Sequence, residues 1–231
     1  MTQLIGVEVT YTEAHWALLM ALRIEARRMM EPLVKAHLEP LVYGSIARGD
    51  VDNESDIDIF LPSPPAPAII ESILERQNIQ LSRREIVQAT PRYAAKAYLY
   101  TGVGRSYSYP LVDLMPNEAE FYAFAGAIDY GQLLEDGRVP GVDKRLMFVE
   151  PTEKGHTENP VKGIEGVVAS RLGVDTRIVF ERVRTLERRA KVGRTGVYLK
   201  RELSWDEDVS TLFEELVRSN SALRRRLRKR K

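Results

Sequence analysis

Residues 44–61 read GSIARGDVDNESDIDIFL, and this stretch sets the organisation of the rest of the chain. Its last part, 56–61, alternates acidic and apolar side chains, which is the period of a half-buried strand. Side chains two residues apart share a strand face, so Asp56 and Asp58 are predicted to point the same way, with the intervening isoleucine facing a core. Two carboxylates held close together repel each other unless a cation lies between them. The pair therefore predicts a metal site, although an isolated D-x-D would also fit a solvated edge strand.

The residues before this strand predict a phosphate site. Gly44 and Ser45 follow a short apolar strand over 40–43. Glycine lets the backbone approach a phosphate closely, the Ser45 hydroxyl can donate to it, and the Arg48 guanidinium fits phosphate oxygens. Oxygen ligands suit Mg²⁺ or Mn²⁺, which take the rest of their shell from water and substrate phosphates. A phosphate cradle beside a divalent metal is the equipment for moving a nucleotide.

A third carboxylate is expected near the metal, and Asp113 is the candidate. It lies in LVDLM, 111–115, inside a predicted strand over 106–115. A lone charge in an apolar strand needs a partner, which a metal would supply. The competing interpretation is a buried aspartate satisfied by a local N–H group or an arginine.

The spacing of Gly-Ser, about ten residues and Asp-x-Asp resembles the signature of the DNA polymerase β-type nucleotidyltransferase superfamily. It is similar to the form of this signature in archaeal CCA-adding enzymes and in minimal nucleotidyltransferases. The resemblance implies an α+β fold, with a small mixed β-sheet flanked by helices. It implies that Gly44 and Ser45 hold the triphosphate of an NTP such as ATP, and that Asp56 and Asp58 bind two Mg²⁺ or Mn²⁺ ions. Asp113 would complete the triad and help deprotonate the acceptor hydroxyl.

The remaining patterns predict a catalytic domain over 1–150. Thr12 is expected to cap the first helix. The predicted elements are helices over 12–37, 68–77 and 117–135, strands over 94–101 and 106–115 joined by a hairpin at 102–104, and a strand over 145–150. A polar, proline-bounded stretch without periodicity, 151–162, is predicted to be a linker.

A winged helix-turn-helix-like domain is predicted over 163–220. An apolar helix ends at Gly173, and Asp175 or Thr176 can cap a second helix, in a pattern that resembles the DNA-binding domains of leucine-responsive regulators. Residues 191–203 would form the wing. The outward face of the second helix would carry the nucleic-acid-binding arginines Arg177, Arg184 and Arg188. The alternative is a fold used only for packing or dimerisation.

Charge is unevenly distributed along the chain. Residues 161–231 hold 19 Lys and Arg against 10 Asp and Glu, a net charge of +9, whereas 1–160 carry a net charge of −8. Residues 221–231 are predicted to be a basic tail, and its last eight residues, RRRLRKRK over 224–231, are expected to be disordered. This asymmetry favours a nucleic-acid partner, RNA in particular, held by the C-terminal part.

Composition excludes several classes of function. The chain of 231 residues has 44% hydrophobic and 29% charged residues, as globular proteins do, and no cysteine. Disulfides, thiol nucleophiles and zinc–thiolate sites are therefore excluded. Apolar runs are too short for a membrane helix, and the N-terminus has no signal-peptide pattern, so a cytoplasmic location is expected.

The sequence thus predicts an enzyme that transfers a nucleoside monophosphate from an NTP to an acceptor hydroxyl, by a two-metal mechanism, with release of pyrophosphate. The preferred acceptor is RNA or another nucleic acid. Two alternatives stay open. One is a nucleic-acid-binding regulator with a nucleotide-sensing or relic domain, and the other is a minimal nucleotidyltransferase that modifies a protein or a small molecule.

Overall fold

The computed structural model describes residues 6–193 and 196–228. The strands are β1 (Val7–Thr10), β2 (Leu41–Tyr43), β3 (Ile57–Phe60), β4 (Arg83–Gln88), β5 (Ala95–Gly102), β6 (Arg105–Pro110), β7 (Ala127–Asp129), β8 (Gly141–Val142), β9 (Met147–Thr152), β10 (Gly155–Pro160) and β11 (Leu199–Glu202). The helices are α1 (Glu13–Lys35), α2 (Ser45–Arg48), α3 (Pro67–Arg76), α4 (Pro116–Ala125), α5 (Tyr130–Leu134), α6 (Glu165–Leu172), α7 (Thr176–Val192), α8 (Val209–Ser219) and α9 (Ser221–Arg228). Within these residues, no helix combines the length and the apolar character that crossing a bilayer requires.

The larger sheet has the strand order β11-β4-β5-β6-β3-β2-β7. Its β3 and β6 run parallel, and its other pairs are antiparallel. The mixed α/β architecture is consistent with the α+β nucleotidyltransferase fold that the sequence predicts. The hairpin between β5 and β6 lies where Gly102-Val103-Gly104 predicts it.

One face of this sheet packs on the main hydrophobic core. Ile57 and Ile59 of β3 are fully buried there, as is Tyr107, which lies opposite Ile59 on β6. Met30 and Leu33 of α1 belong to the same cluster. Thr12 caps α1 by accepting from the His15 backbone N–H. The alternation of 56–61 therefore places the isoleucines inward and leaves the carboxylates on the other face.

A smaller sheet, β1-β10-β9-β8, lies beside a second core that includes Phe148 and, from α6 and α7, Val168 and Val179. The structure differs here from the predicted linker over 151–162, because these residues form the end of β9 and all of β10. Pairing with β9 on one side and β1 on the other satisfies the backbone of β10 despite its polar sequence. A Cβ atom on Gly155 would lie 1.9 Å from the Val9 carbonyl oxygen, so only glycine allows this close pairing.

The predicted helix over 117–135 is interrupted. Gly126, at a φ of +79°, ends α4, and β7 then pairs with β2 before α5 begins. Asp129 caps α5 by accepting from the Gln132 backbone N–H. A glycine at a left-handed φ and an aspartate cap together explain why the apolar run is not one helix.

The C-terminal part contains the predicted helix pair but not the predicted wing. The turn at Gly173, at a φ of +64°, separates α6 from α7, whose N-cap is Asp175. The prediction of a wing over 191–203 is wrong for those of its residues that the structure describes. Its strand β11 pairs with β4 at the edge of the larger sheet instead of forming a hairpin of its own. Arg194 and Thr195, in the expected wing turn, lie outside the described residues.

The last helices return to the first core. Val209 and Leu212 of α8 and Leu223 of α9 are buried in the cluster that also holds the β3 isoleucines. The expectation of a disordered tail is wrong for its described residues, which form α9 through Arg228. Burial of Leu223 and of the Arg226 side chain explains this order. Residues 229–231 of that tail lie outside the described residues.

Candidate active site

Asp56 and Asp58 lie on the polar face of β3, as predicted. Asp56 is exposed and Asp58 is partly buried. The Ser106 hydroxyl of β6 donates to Asp58 Oδ1 over 2.6 Å. Burial raises the pKa of Asp58, and the Asp56 charge adds to this against the lowering effects of the Ser106 hydrogen bond and of Lys144. The fold holds two carboxylates close together despite their electrostatic repulsion, and such a pair suits a bound cation.

The Gly44–Ser45 turn lies beside this pair. Gly44 ends β2 at a φ of +85°, which glycine tolerates, and a Cβ atom built there would meet nothing within 4 Å. The Ser45 hydroxyl donates to the Ser55 hydroxyl over 3.2 Å, immediately before Asp56. The structure thus brings together Gly44, Ser45 and Asp56, with open space over the turn.

The structure gives Arg48 different partners from the phosphate oxygens that the sequence predicts. Its side chain is buried and has fixed partners: Nη1 donates to the Ala125 carbonyl oxygen over 2.6 Å, and Nη2 to Asp50 Oδ2 over 2.8 Å. These contacts hold the end of α4 against the turn after α2. Nη1 and Nη2 therefore hold the guanidinium in the scaffold, whereas Nε is buried without a hydrogen-bond partner, and the predicted phosphate contact has no support in this geometry.

The structure does not place Asp113 beside Asp56 and Asp58. The strand β6 ends at Pro110, which has no backbone N–H to continue the ladder, and Asp113 lies beyond it at an exposed position. The residue paired with Asp58 across β3 and β6 is Ser106, about 13 Å along the strand from Pro110 at about 3.3 Å per residue. The sequence reasoning missed Ser106, although the alternation S-Y-S-Y over 106–109 separates a polar from an aromatic face.

A row of paired residues extends from Asp58 across the sheet. Ser106 pairs with Tyr100 of β5, and Tyr100 pairs with Arg83 of β4. The Arg83 guanidinium lies over the Tyr100 ring at 4.2 Å. This row borders a cavity of about 620 Å³ that the two carboxylates share with the hairpin residues 102–105. The cavity therefore offers a flat aromatic ring and a cation next to the candidate metal site.

The tyrosines of the hairpin strands divide between the two faces. Tyr107 and Tyr109 are buried in the core, whereas Tyr98 and Tyr100 stack at 6.3 Å on the polar face. Burial raises the pKa of Tyr98 to about 12. This phenol is therefore neutral at physiological pH and acts as a surface or a hydrogen-bond donor, not as a base.

Lys96 is a further residue of this face that the motif search did not single out. Its ammonium donates to the Tyr122 hydroxyl over 2.6 Å and lies 4.9 Å from the centre of that ring. Burial lowers the pKa of Lys96 to about 8. The alternation of Lys96, Tyr98 and Tyr100 along β5 is the signal that could have placed it there.

Among the described residues, no group of three or more acidic or histidine side chains is arranged to hold a metal ion. The donors that fit a hard divalent cation are the Asp56 and Asp58 carboxylates, which leave the rest of the shell to water and phosphate oxygens. Two carboxylates with a serine in the neighbouring position fit one ion. The two ions that the resemblance implies, with Asp113 completing the triad, stay a prediction.

The three arginines predicted to bind nucleic acid are all exposed on α7. Arg177 binds the cap of its own helix, because its Nη2 and Nε donate to the Asp175 carboxylate over 2.6 and 3.0 Å. Arg184 is exposed, and Arg188 lines the second cavity, which α7 shares with α9 and the loop over 89–93. The trio therefore shares a helix face but not a common environment.

Residues 27–100 match the model of a family described as a nucleotidyltransferase domain. The match runs from the middle of α1 into β5, so it includes the Gly44–Ser45 turn and the two carboxylates but ends before Ser106. This part of the chain is similar to a nucleotidyltransferase domain, and the match supports general nucleotidyl transfer from an NTP substrate. No curated protein and no solved structure matched the chain.

Proposed function

We propose that the chain is a divalent-metal-dependent enzyme that transfers a nucleoside monophosphate from an NTP to an acceptor hydroxyl, with a nucleic acid, RNA in particular, as the acceptor. The observation that carries this proposal is the contact between the Gly44–Ser45 turn and the loop before Asp56. This contact brings the open space over Gly44 next to the start of β3, which carries the carboxylate pair. The triphosphate would lie over the turn, on the β2 side of the pair.

The reaction follows from this placement. The acceptor oxygen attacks the α-phosphorus, the bond between that phosphorus and the α–β bridging oxygen breaks, and pyrophosphate leaves. The hydroxyl proton passes to water, since the neighbouring strand offers Ser106 and not a carboxylate. A divalent ion held by Asp56 and Asp58 would offset the charge of the phosphates. The acceptor approaches from the β6 side, where Ser106, Tyr100 and Arg83 line the cavity.

The test is incubation with each labelled NTP, Mg²⁺ or Mn²⁺, and total RNA, followed by identification of the macromolecule that carries the label. We expect labelled RNA with the wild type and none with Asp58→Asn, which keeps the shape of the side chain but removes its charge. Label on protein or on a small molecule would replace RNA as the acceptor and would favour a minimal nucleotidyltransferase. Equal labelling by Asp58→Asn would exclude the carboxylate pair from the chemistry.

The serine opposite Asp58 favours a second candidate, a nucleotide sensor with a nucleic-acid-binding part. A site with two carboxylates can bind NTP with a divalent ion but lacks the third group expected to assist deprotonation. The two functions separate in one pair of measurements. A sensor binds NTP in the presence of Mg²⁺ and transfers no label to any acceptor, and Ser106→Asp would then be expected to gain transfer activity.

A further inference from the structure

A second cavity, of about 1070 Å³, lies away from the carboxylate pair. Residues of α7 and α9 and of the loop over 89–93 line it. Its wall is dominated by arginines: Arg92, Arg182, Arg188, Arg189, Arg225 and Arg226. Such a concentration of one charge around a concave space favours an anionic ligand.

The charge of this wall is largely unbalanced among the described residues. Arg226 is the exception, since it pairs with the buried Glu118 and donates to the Asp113 and Arg92 carbonyl oxygens. The other five arginines form no ion pair with a described residue. Glu181 is the acidic side chain that lines the same cavity. A net positive wall therefore remains for a ligand to neutralise.

Arg182 shows that the fold holds this charge in place. Its Nε atom is buried without a hydrogen-bond partner, and its guanidinium lies 4.9 Å from the centre of the Phe121 ring. Burial and the neighbouring Arg189 lower the pKa of Arg182. A buried Nε without a partner, in a guanidinium next to a like charge, is costly unless an anion completes its hydrogen bonding.

The dimensions point to a chain of phosphates and not to a single one. Arg182 and Arg189 lie about 10 Å apart along α7 at about 1.5 Å per residue, and with Arg92 and Arg225 on other segments the wall offers more cationic groups than a single phosphate can neutralise. The strand β4 begins at Arg83, which lines the cavity of the carboxylate pair, and the loop over 89–93 follows its other end. At about 3.3 Å per residue, the two cavities are about 20 Å apart along β4. A polymer can occupy both, whereas a mononucleotide cannot.

We propose that this arginine cavity binds the phosphodiester backbone of a single-stranded nucleic acid whose end reaches the carboxylate pair. This inference rests on the proposed function only in naming that strand as the acceptor. Tyr93, which also lines the cavity, offers a ring on which a base can stack. The binding surface is thus the cavity, and not the outward face of α7 that carries Arg177 and Arg184.

The test is direct binding of a fluorescently labelled oligouridylate of about 12 nucleotides, a length within the range of single-strand binding sites. Anisotropy is measured with the full chain at several salt concentrations, without NTP or metal. The variant is Arg189→Gln/Arg225→Gln, and the matched control is Arg177→Gln/Arg184→Gln, which removes two exposed arginines from α7 outside the cavity. Thermal unfolding of each variant checks that the fold is retained.

We expect the cavity variant to weaken binding roughly tenfold or more at low salt. It should also reduce the salt dependence by about 1.4 in log–log slope, about 0.7 for each lost phosphate contact to a single strand. The control should stay within about twofold of the wild type. Equal loss in both variants would overturn the proposal, because the attraction would then be spread over the basic surface. Displacement of the strand by inorganic tripolyphosphate at equal phosphate concentration would also overturn it, in favour of a small polyphosphate site.

Failure here and failure of the proposed function give different results. If the strand binds through the cavity but no label is transferred, the cavity assignment holds and the transferase assignment fails. If label is transferred to another acceptor while the strand does not bind, the transferase assignment holds and the cavity assignment fails.

Discussion

The hydrogen bond between Ser106 and Asp58 gives the sharpest test of the site. Ser106→Ala removes the hydroxyl that donates to Asp58 Oδ1 over 2.6 Å and leaves a partly buried carboxylate oxygen without that donor. The matched control is Ser108→Ala, one position further along the same face of β6. The Ser108 hydroxyl is buried without a hydrogen-bond partner, so its removal breaks no such bond.

The expected effect follows from the charge of the acceptor. A hydrogen bond to a charged group contributes about 1.5–3 kcal/mol to stability. Partial exposure of Asp58 lets water replace some of this, so we expect Ser106→Ala to lower the free energy of unfolding by about 1–2 kcal/mol at pH 7. For a chain of this size, that corresponds to about 2–8 °C in Tm. Ser108→Ala should change stability by less than about 0.5 kcal/mol.

The pH dependence makes the result specific. The Ser106 hydroxyl favours the ionised form of Asp58, and so it works against the burial that raises the pKa of that carboxyl. Its stabilising effect is therefore present when Asp58 is charged, and is lost as the pH falls through the pKa in the folded state. Urea unfolding at pH 7 and at pH 4 measures the difference. If Ser106→Ala is no more destabilising than Ser108→Ala at pH 7, the Ser106 hydrogen bond does not stabilise the charged Asp58 carboxylate.

Three further predictions concern buried charges of the same fold. Asp58→Asn should abolish transfer and raise the Tm of the metal-free protein, because the substitution removes a buried negative charge. The increase in Tm should grow as the pH rises through the raised pKa of Asp58. Arg226→Met should lower the free energy of unfolding by about 3–5 kcal/mol in urea titrations, since it leaves Glu118 buried without its partner; Glu118→Gln in the same chain should recover part of that loss. Burial lowers the pKa of Lys96 to about 8, so the wild type should gain stability relative to Lys96→Met as the pH rises above about 8, where the unfolded chain still holds the proton. The measurement is the difference in urea midpoint between the wild type and Lys96→Met. The same difference at pH 7 and at pH 10 would contradict this prediction.

Local patterns in the sequence predicted the local structure of the site. The alternation of 56–61 placed the isoleucines in the core and the carboxylates on the open face. Thr12 caps α1, as predicted, and Asp175, one of the two predicted cap residues, caps α7. Each of these outcomes depends on neighbours within a few residues, so a sequence pattern carries it.

The errors concern partners that are distant in sequence. The strand β11 was expected to pair within the C-terminal part, but the free edge of β4 is its partner. Arg48 was expected to face a phosphate, but the carbonyl of Ala125, far along the chain, accepts its hydrogen bond. Asp113 was expected on a strand next to the carboxylate pair, but β6 ends at Pro110, and its register places Ser106 opposite Asp58. A one-dimensional pattern specifies which residues can pair, and only the folded sheet specifies which of them do.

The uneven charge of the chain also has a different meaning in three dimensions. Several basic residues of 161–231 pair with carboxylates of the acidic first part: Arg171 with Glu150, Lys200 with Glu85, and Arg226 with Glu118. These contacts neutralise charge that the sequence assigns to a partner, so the net charge of +9 for 161–231 overstates its attraction for a polyanion. The same contacts, with Leu223 in the first core, make the C-terminal residues part of the fold that holds the carboxylate pair. A fragment of 161–231 would therefore lose its packing against the first core, and it would lack Arg92, which lines the arginine cavity. For this reason, nucleic-acid binding has to be measured on the whole chain.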